Sequence, residues 1–135
     1  MAVFVLTDAS LTVNSVALSA YVNQITLDYA RDTVETTAMG ATSHVYTGGL
    51  YNISVTATMN QDFAASTVAP TLDALIGTPT TVVIKPTSAA VGATNPTYTI
   101  ANATLTGTQP VNGSTGDLAQ MSITFSGGTL TKATS

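Results

Sequence analysis

The chain has 135 residues, of which 44% are hydrophobic and only 7% charged, with a formal net charge of −4. That length suits one domain, and a charged fraction far below the roughly 25% of ordinary soluble domains leaves little to resist self-association, so much of the surface is expected to be covered by other subunits. Three cations cannot build a phosphate-gripping patch, and the absence of cysteine excludes disulfides and thiolate metal sites.

Thr, Ser and Asn stand where charges would be, and β-branched Thr with ten Gly and five Pro points to a mainly β chain with frequent turns. The N-terminal MAVFVLTDASLTV has neither a basic start nor a long apolar run, so it reads as neither a signal peptide nor a membrane span. Val3 to Leu6 and Leu11 to Leu18 read as short strands around the turn-prone Asp8-Ala9-Ser10. From Tyr21 to Arg31, Ile25, Leu27 and Tyr29 alternate with Gln24, Thr26 and Asp28. Val34 to Thr37 extends this strand or opens a hairpin arm.

Residues 38–49, AMGATSHVYTGG, have three Gly and no periodic core pattern, so they read as a long connection, and such loops are usually functional. The clearest alternation follows. Tyr51, Ile53, Val55, Ala57 and Met59 form a core face, whereas Asn52, Ser54, Thr56, Thr58 and Asn60 form a polar face without one charge. A helix is expected over 66–77, with Pro70 in its first turn, Asp73 near the start, Leu72, Leu75 and Ile76 inward and Gly77 past its end. Strands follow at Thr80 to Lys85, Thr97 to Leu105 and Asp117 to Phe125, with a short one at Thr129 to Thr131 beyond Gly127-Gly128. In the strand from Asp117 to Phe125, Ala119, Met121, Ile123 and Phe125 oppose Leu118, Gln120, Ser122 and Thr124, repeating the earlier design.

Chemistry has little to work with. His44 is the single histidine and lies in the long connection without a nucleophile motif, so it reads as a loop or subunit-contact residue. Asp28, Asp32 and Glu35 read as an acidic stripe rather than an acid–base pair. Three Asn-X-Ser/Thr triplets, at Asn52, Asn102 and Asn112, are expected by chance in so Ser/Thr-rich a chain. No catalytic, metal or cofactor residue is assigned.

The stretches Leu18 to Tyr29, Asp32 to Gly40, Gly49 to Phe63, Leu75-Ile76-Gly77, Lys85 to Ala90, Thr94 to Tyr98 and Gly116-Asp117-Leu118 resemble, in order, the major tail tube proteins of long-tailed siphophages. The resemblance runs from Ala17 to Leu130. It implies an antiparallel β-sandwich or barrel with one flanking helix and a long hairpin loop, in a single domain over 1–135. It further implies hexameric rings with a continuous inner β-barrel, stacked into a hollow tube for DNA delivery. Gln24, Thr26, Asp28, Asn52, Ser54, Thr56, Thr58, Gln120, Ser122 and Thr124 would then face the lumen. Met39, Thr42, His44, Val45 and Tyr46 would grip the next ring. Expected partners are further copies, the tape-measure, tail-tip and tail-terminator proteins, and DNA that passes without specific binding. The place would be the virion tail, assembled in the host cytoplasm, with no membrane insertion of this chain. An adhesion or carbohydrate-binding β-sandwich is the alternative for the same Thr/Asn-rich strands.

Overall fold

The computed structural model of the chain describes residues 8–61, 68–109 and 111–134. The strand expected at Val3 to Leu6, and Ser66 and Thr67 of the expected helix, lie outside the described residues.

Among the described residues, eight strands form one antiparallel sheet: β1 (Ser10–Val13), β2 (Val16–Ala17), β3 (Val22–Glu35), β4 (Tyr46–Asn60), β5 (Pro79–Lys85), β6 (Thr97–Gly107), β7 (Gln120–Ser126) and β8 (Thr129–Ala133). Their order is β2-β1-β5-β6-β7-β4-β3, with β8 also on β6. The segment expected as one strand from Leu11 to Leu18 is broken, because Asn14 and Ser15 take positive φ of 49° and 67° and turn β1 back into β2. Two consecutive positive φ values are the geometry whose twist suits a two-residue hairpin.

The core comes from period-two alternation. Leu11 and Val13 of β1, Ile53, Val55, Ala57 and Met59 of β4, Val82 and Ile84 of β5, Ile100, Ala103 and Leu105 of β6, and Met121, Ile123 and Phe125 of β7 are buried in one cluster. Among the described residues the α-helix, α1 (Val68–Asp73), ends at Asp73, short of the Gly77 end of the 66–77 span expected. Leu72 and Leu75 are buried with the core, but Ile76 is half exposed, since the chain has left the helix and bridges to Leu105 there. Asp73 stands at the helix end rather than in its first turn. Gly77 takes the left-handed φ of +76° that lets the chain leave.

A corner bends the sheet. β7 and β8 run in tandem along one edge of β6, separated by Gly127 and Gly128 at φ of +80° and +92°. Opposite them Asn102 takes φ +61°, where β6 places Ala101 and Asn102 against the single Thr81 of β5. A β carbon on Gly128 would collide with the Ala101 carbonyl, so this crossing needs glycine.

The curl brings Ile25 and Leu27 of β3 across from Ile84, Pro86 and Tyr98, with Ala9 in the same shallow apolar groove. The seam does not close into a barrel: among the described residues, no ladder joins β3 to β1 or β2. Among the described residues, the outer edge of the 14-residue β3 has no partner strand.

Candidate functional site

Strand register gathers the polar alternates of three strands onto one wall. Gln24 lies beside Thr58 and Thr58 beside Ser122; Thr26 beside Thr56 and Thr56 beside Thr124; Asp28 beside Ser54 and Ser54 beside Ser126. Asn60 pairs with Gln120 at one end of the wall, and Asn52 faces Ala30 at the other. All ten residues expected on a shared polar surface are thus brought together on the face opposite the core. The ladder between β3 and β4 is regular from Gln24 to Arg31, which keeps the alternation in phase.

Hydroxyls and amides knit the wall. Thr58 Oγ1 and Ser122 Oγ stand 3.5 Å apart, Asn23 Nδ2 donates to Asn60 Oδ1 at 2.9 Å, and Gln120 Nε2 donates to the same oxygen at 3.3 Å. Ser126 and Thr104 belong to the wall but were not among the residues expected there. Ser126 follows from continuing the β7 alternation by one step. Thr104 does not, since its place beside Ser126 depends on β6 being the neighbour of β7.

The acidic stripe divides. Asp28 is on the wall, and Asp32 accepts from Asn52 Nδ2 at 2.5 Å. Glu35 instead meets His44 Nδ1 at 2.8 Å on the hairpin, so His44 is a loop residue held by a carboxylate. Among the described residues no three His, Asp or Glu side chains converge as metal ligands. This surface can offer hydrogen bonds, and it assembles no nucleophile with a base.

The second feature is the hairpin of β3 and β4. The loop expected over 38–49 is shorter, because Tyr46 to Gly49 belong to β4 and ladder pairing continues out to Glu35 and Tyr46. At the tip Thr36 N donates to Val45 O at 2.7 Å, and Val45 N donates to Thr37 Oγ1 at 2.7 Å. Pairing with β7 begins only at Ser54, so everything beyond is a two-stranded ribbon. Met39, Thr42, His44, Val45 and Tyr46 are all exposed there, together with Val34 and Leu50.

Tyr51, expected in the core, lies on the core-side face but beyond the end of the core, and is 54% exposed. It stacks on Tyr29 with ring centroids 5.4 Å apart and planes 13° from parallel. The Arg31 guanidinium sits 4.8 Å from the Tyr51 ring centre and donates from Nε to the Gly49 carbonyl at 2.9 Å. Gly48 leaves the space that the guanidinium fills, since a β carbon there would overlap it. Partial desolvation holds the Tyr29 phenol above its ordinary pKa, with Tyr51 adding to the rise and Arg31 opposing it.

No protein-family model matches the chain, and no curated protein matches it in sequence. Solved structures do match in fold. A chain of the virion of a native gene transfer agent particle superposes with a TM-score of 0.74 at 12% identity, covering 93% of this chain and 95% of that one. A chain of the PVC extracellular contractile injection system, in the structure of its sheath/tube terminator in the extended state, gives 0.72 at 18% identity over 98% and 97%. Hcp1 from Flavobacterium johnsoniae gives 0.57 at 13% identity over 96% and 97%. The fold is therefore tail-tube-like. It is shared with chains of a gene transfer agent virion and of an extracellular contractile injection system, and with Hcp1.

Proposed function

We propose that this chain is the repeating subunit of a phage tail tube of the long, non-contractile kind. Six copies form a ring, and rings stack into a hollow conduit for DNA. The observation that supports this reading is the coincidence of an uninterrupted, charge-poor polar wall with a 14-residue edge strand that has no partner among the described residues, in a fold shared with a chain of a gene transfer agent virion. The free edge of β3 is a template for pairing with a neighbouring subunit, and a closed ring leaves no such edge exposed. The same pairing would carry the wall from subunit to subunit around the lumen.

Gln24, Thr26, Asp28, Asn52, Ser54, Thr56, Thr58, Gln120, Ser122 and Thr124 then line the passage. DNA passing such a wall must not stick, and each added Lys or Arg would contribute a phosphate contact. The wall offers neutral hydroxyls and amides, with Asp28 as a repelling charge. The projecting hairpin, with Met39, Thr42, His44, Val45 and Tyr46, serves contact with the next ring. Tape-measure, tail-tip and terminator proteins are the further partners in the virion tail, assembled in the host cytoplasm.

Negative-stain microscopy of concentrated protein should show rings and tubes of constant width; a population that stays monomeric at high concentration rejects the proposal. Changing Thr56 and Ser122 together to Lys should leave rings intact and slow DNA ejection. Ejection at the normal rate from tubes containing the changed chain would move the lumen to another face.

A further inference from the structure

The hairpin leaves the sheet at one end, and the 111–119 segment that leads into β7 lies at the other. β7 starts at Gln120, which pairs with Asn60 at the far end of β4. From Tyr51 to Asn60 is nine residues of strand, or about 30 Å, so the two ends of one chain do not meet. Each end carries an unsatisfied surface. At the hairpin end the stacked Tyr29 and Tyr51 are half exposed under Arg31. At the far end Val111 and Leu118 are 87% and 66% exposed, and the exposed Asp117 adjoins Leu118.

The two surfaces are complementary in charge as well as in apolar character. Among the described residues the one ion pair is His44 with Glu35, so neither Arg31 nor Asp117 has an ion-pair partner. Lys85 and Lys132 lie elsewhere, the first donating to Ala89 O and the second 6.0 Å from the Tyr98 ring. A cation on an aromatic stack at one end thus matches an acid beside an apolar side chain at the other. Two copies of a chain with net charge −4 repel in general, and this pairing joins opposite charges where they meet.

We infer that the 111–119 segment of a second copy docks on the Tyr29–Arg31–Tyr51 face of the hairpin, with Asp117 against Arg31 and Leu118 against the tyrosines. The occupant is another copy of this chain. The contact is heterologous, using two different surfaces, so it repeats without closing and produces a stack. It rests on the tube reading above and names the surface on the next ring that receives the hairpin.

The test is a charge exchange between two populations, read by light scattering and negative-stain microscopy. Arg31→Glu alone and Asp117→Arg alone should each raise the concentration needed for tubes about tenfold, because every junction then faces like charges. Mixing them should restore tubes, since alternate rings bring opposite charges together at every junction. Tubes from either variant at the normal concentration, or no recovery on mixing folded variants, overturns the contact. Arg31 also holds the Gly48 and Gly49 carbonyls, so Arg31→Glu disturbs the ribbon as well as the contact. A second measurement therefore uses Tyr51→Cys with Leu118→Cys in this cysteine-free chain. Oxidised tubes should give a covalent ladder of more than two copies; tubes that remain unlinked, or links that stop at dimers, overturn it. Failure of the unaltered protein to form tubes would instead reject the tube reading together with this contact.

Discussion

β4 carries the same alternation along its whole length, yet its two halves live in different surroundings. From Ile53 to Asn60 it is flanked by β3 and β7, and Ile53, Val55, Ala57 and Met59 are buried. From Tyr46 to Asn52 it has β3 alone, and Tyr46, Leu50 and Tyr51 are exposed. An isolated two-stranded ribbon is marginal in water. The difference teaches that strand patterning does not itself imply a core: the inner half draws stability from neighbours in its own chain, and the outer half keeps an apolar surface for neighbours outside it.

Mutation separates the halves most strongly in unassembled protein. Phe125→Ala, beside Val55, should cost about 3–5 kcal/mol in urea unfolding, whereas Tyr46→Ala should stay within about 0.5 kcal/mol. Equal losses would show that the ribbon is as integral to the fold as the core. Next in size is the corner. Gly128→Ala combines a left-handed backbone with a steric collision and should cost about 1–3 kcal/mol, while Gly40→Ala at the tip, with open space around it, meets only the backbone strain.

A smaller effect isolates the ribbon. Arg31→Ala removes the donors to the Gly48 and Gly49 carbonyls, so amide exchange between Thr33 and Thr47 should quicken several-fold while the Ile53 to Asn60 amides are unchanged. Acceleration along the whole strand would erase the boundary at Ser54. The smallest effect is in titration. Because the folded-state pKa of Tyr29 is raised, its contribution to stability is present below the ordinary tyrosine pKa and is lost as pH rises through the folded value. Ultraviolet titration should show Tyr29 ionising at lower pH in Tyr51→Phe than in the unaltered chain.

The composition and alternation made the mainly β fold legible, and they made the polar wall legible residue by residue, because a period of two assigns each side chain to a face without knowledge of the partner strand. Boundaries were less visible. Asn14-Ser15 reads as part of a strand until its backbone is seen to turn, and Tyr46 to Gly49 reads as loop because two glycines mask a ladder that pairs with Thr33 to Glu35. Tyr51 was misplaced for a different reason: its phase is right, but the core ends before reaching it.

What the amino-acid sequence determined by itself was local: the alternation of Asn52, Ser54, Thr56 and Thr58 against Ile53, Val55, Ala57 and Met59, and the scarcity of charge. What the tertiary structure decided was which strands are neighbours. Only the order β6-β7-β4-β3 turns separate polar alternates into one wall, and only the stop of β7 opposite Ser54 leaves Tyr29, Arg31 and Tyr51 uncovered. Side-chain direction follows from local backbone geometry, whereas strand adjacency follows from how distant apolar faces share one core.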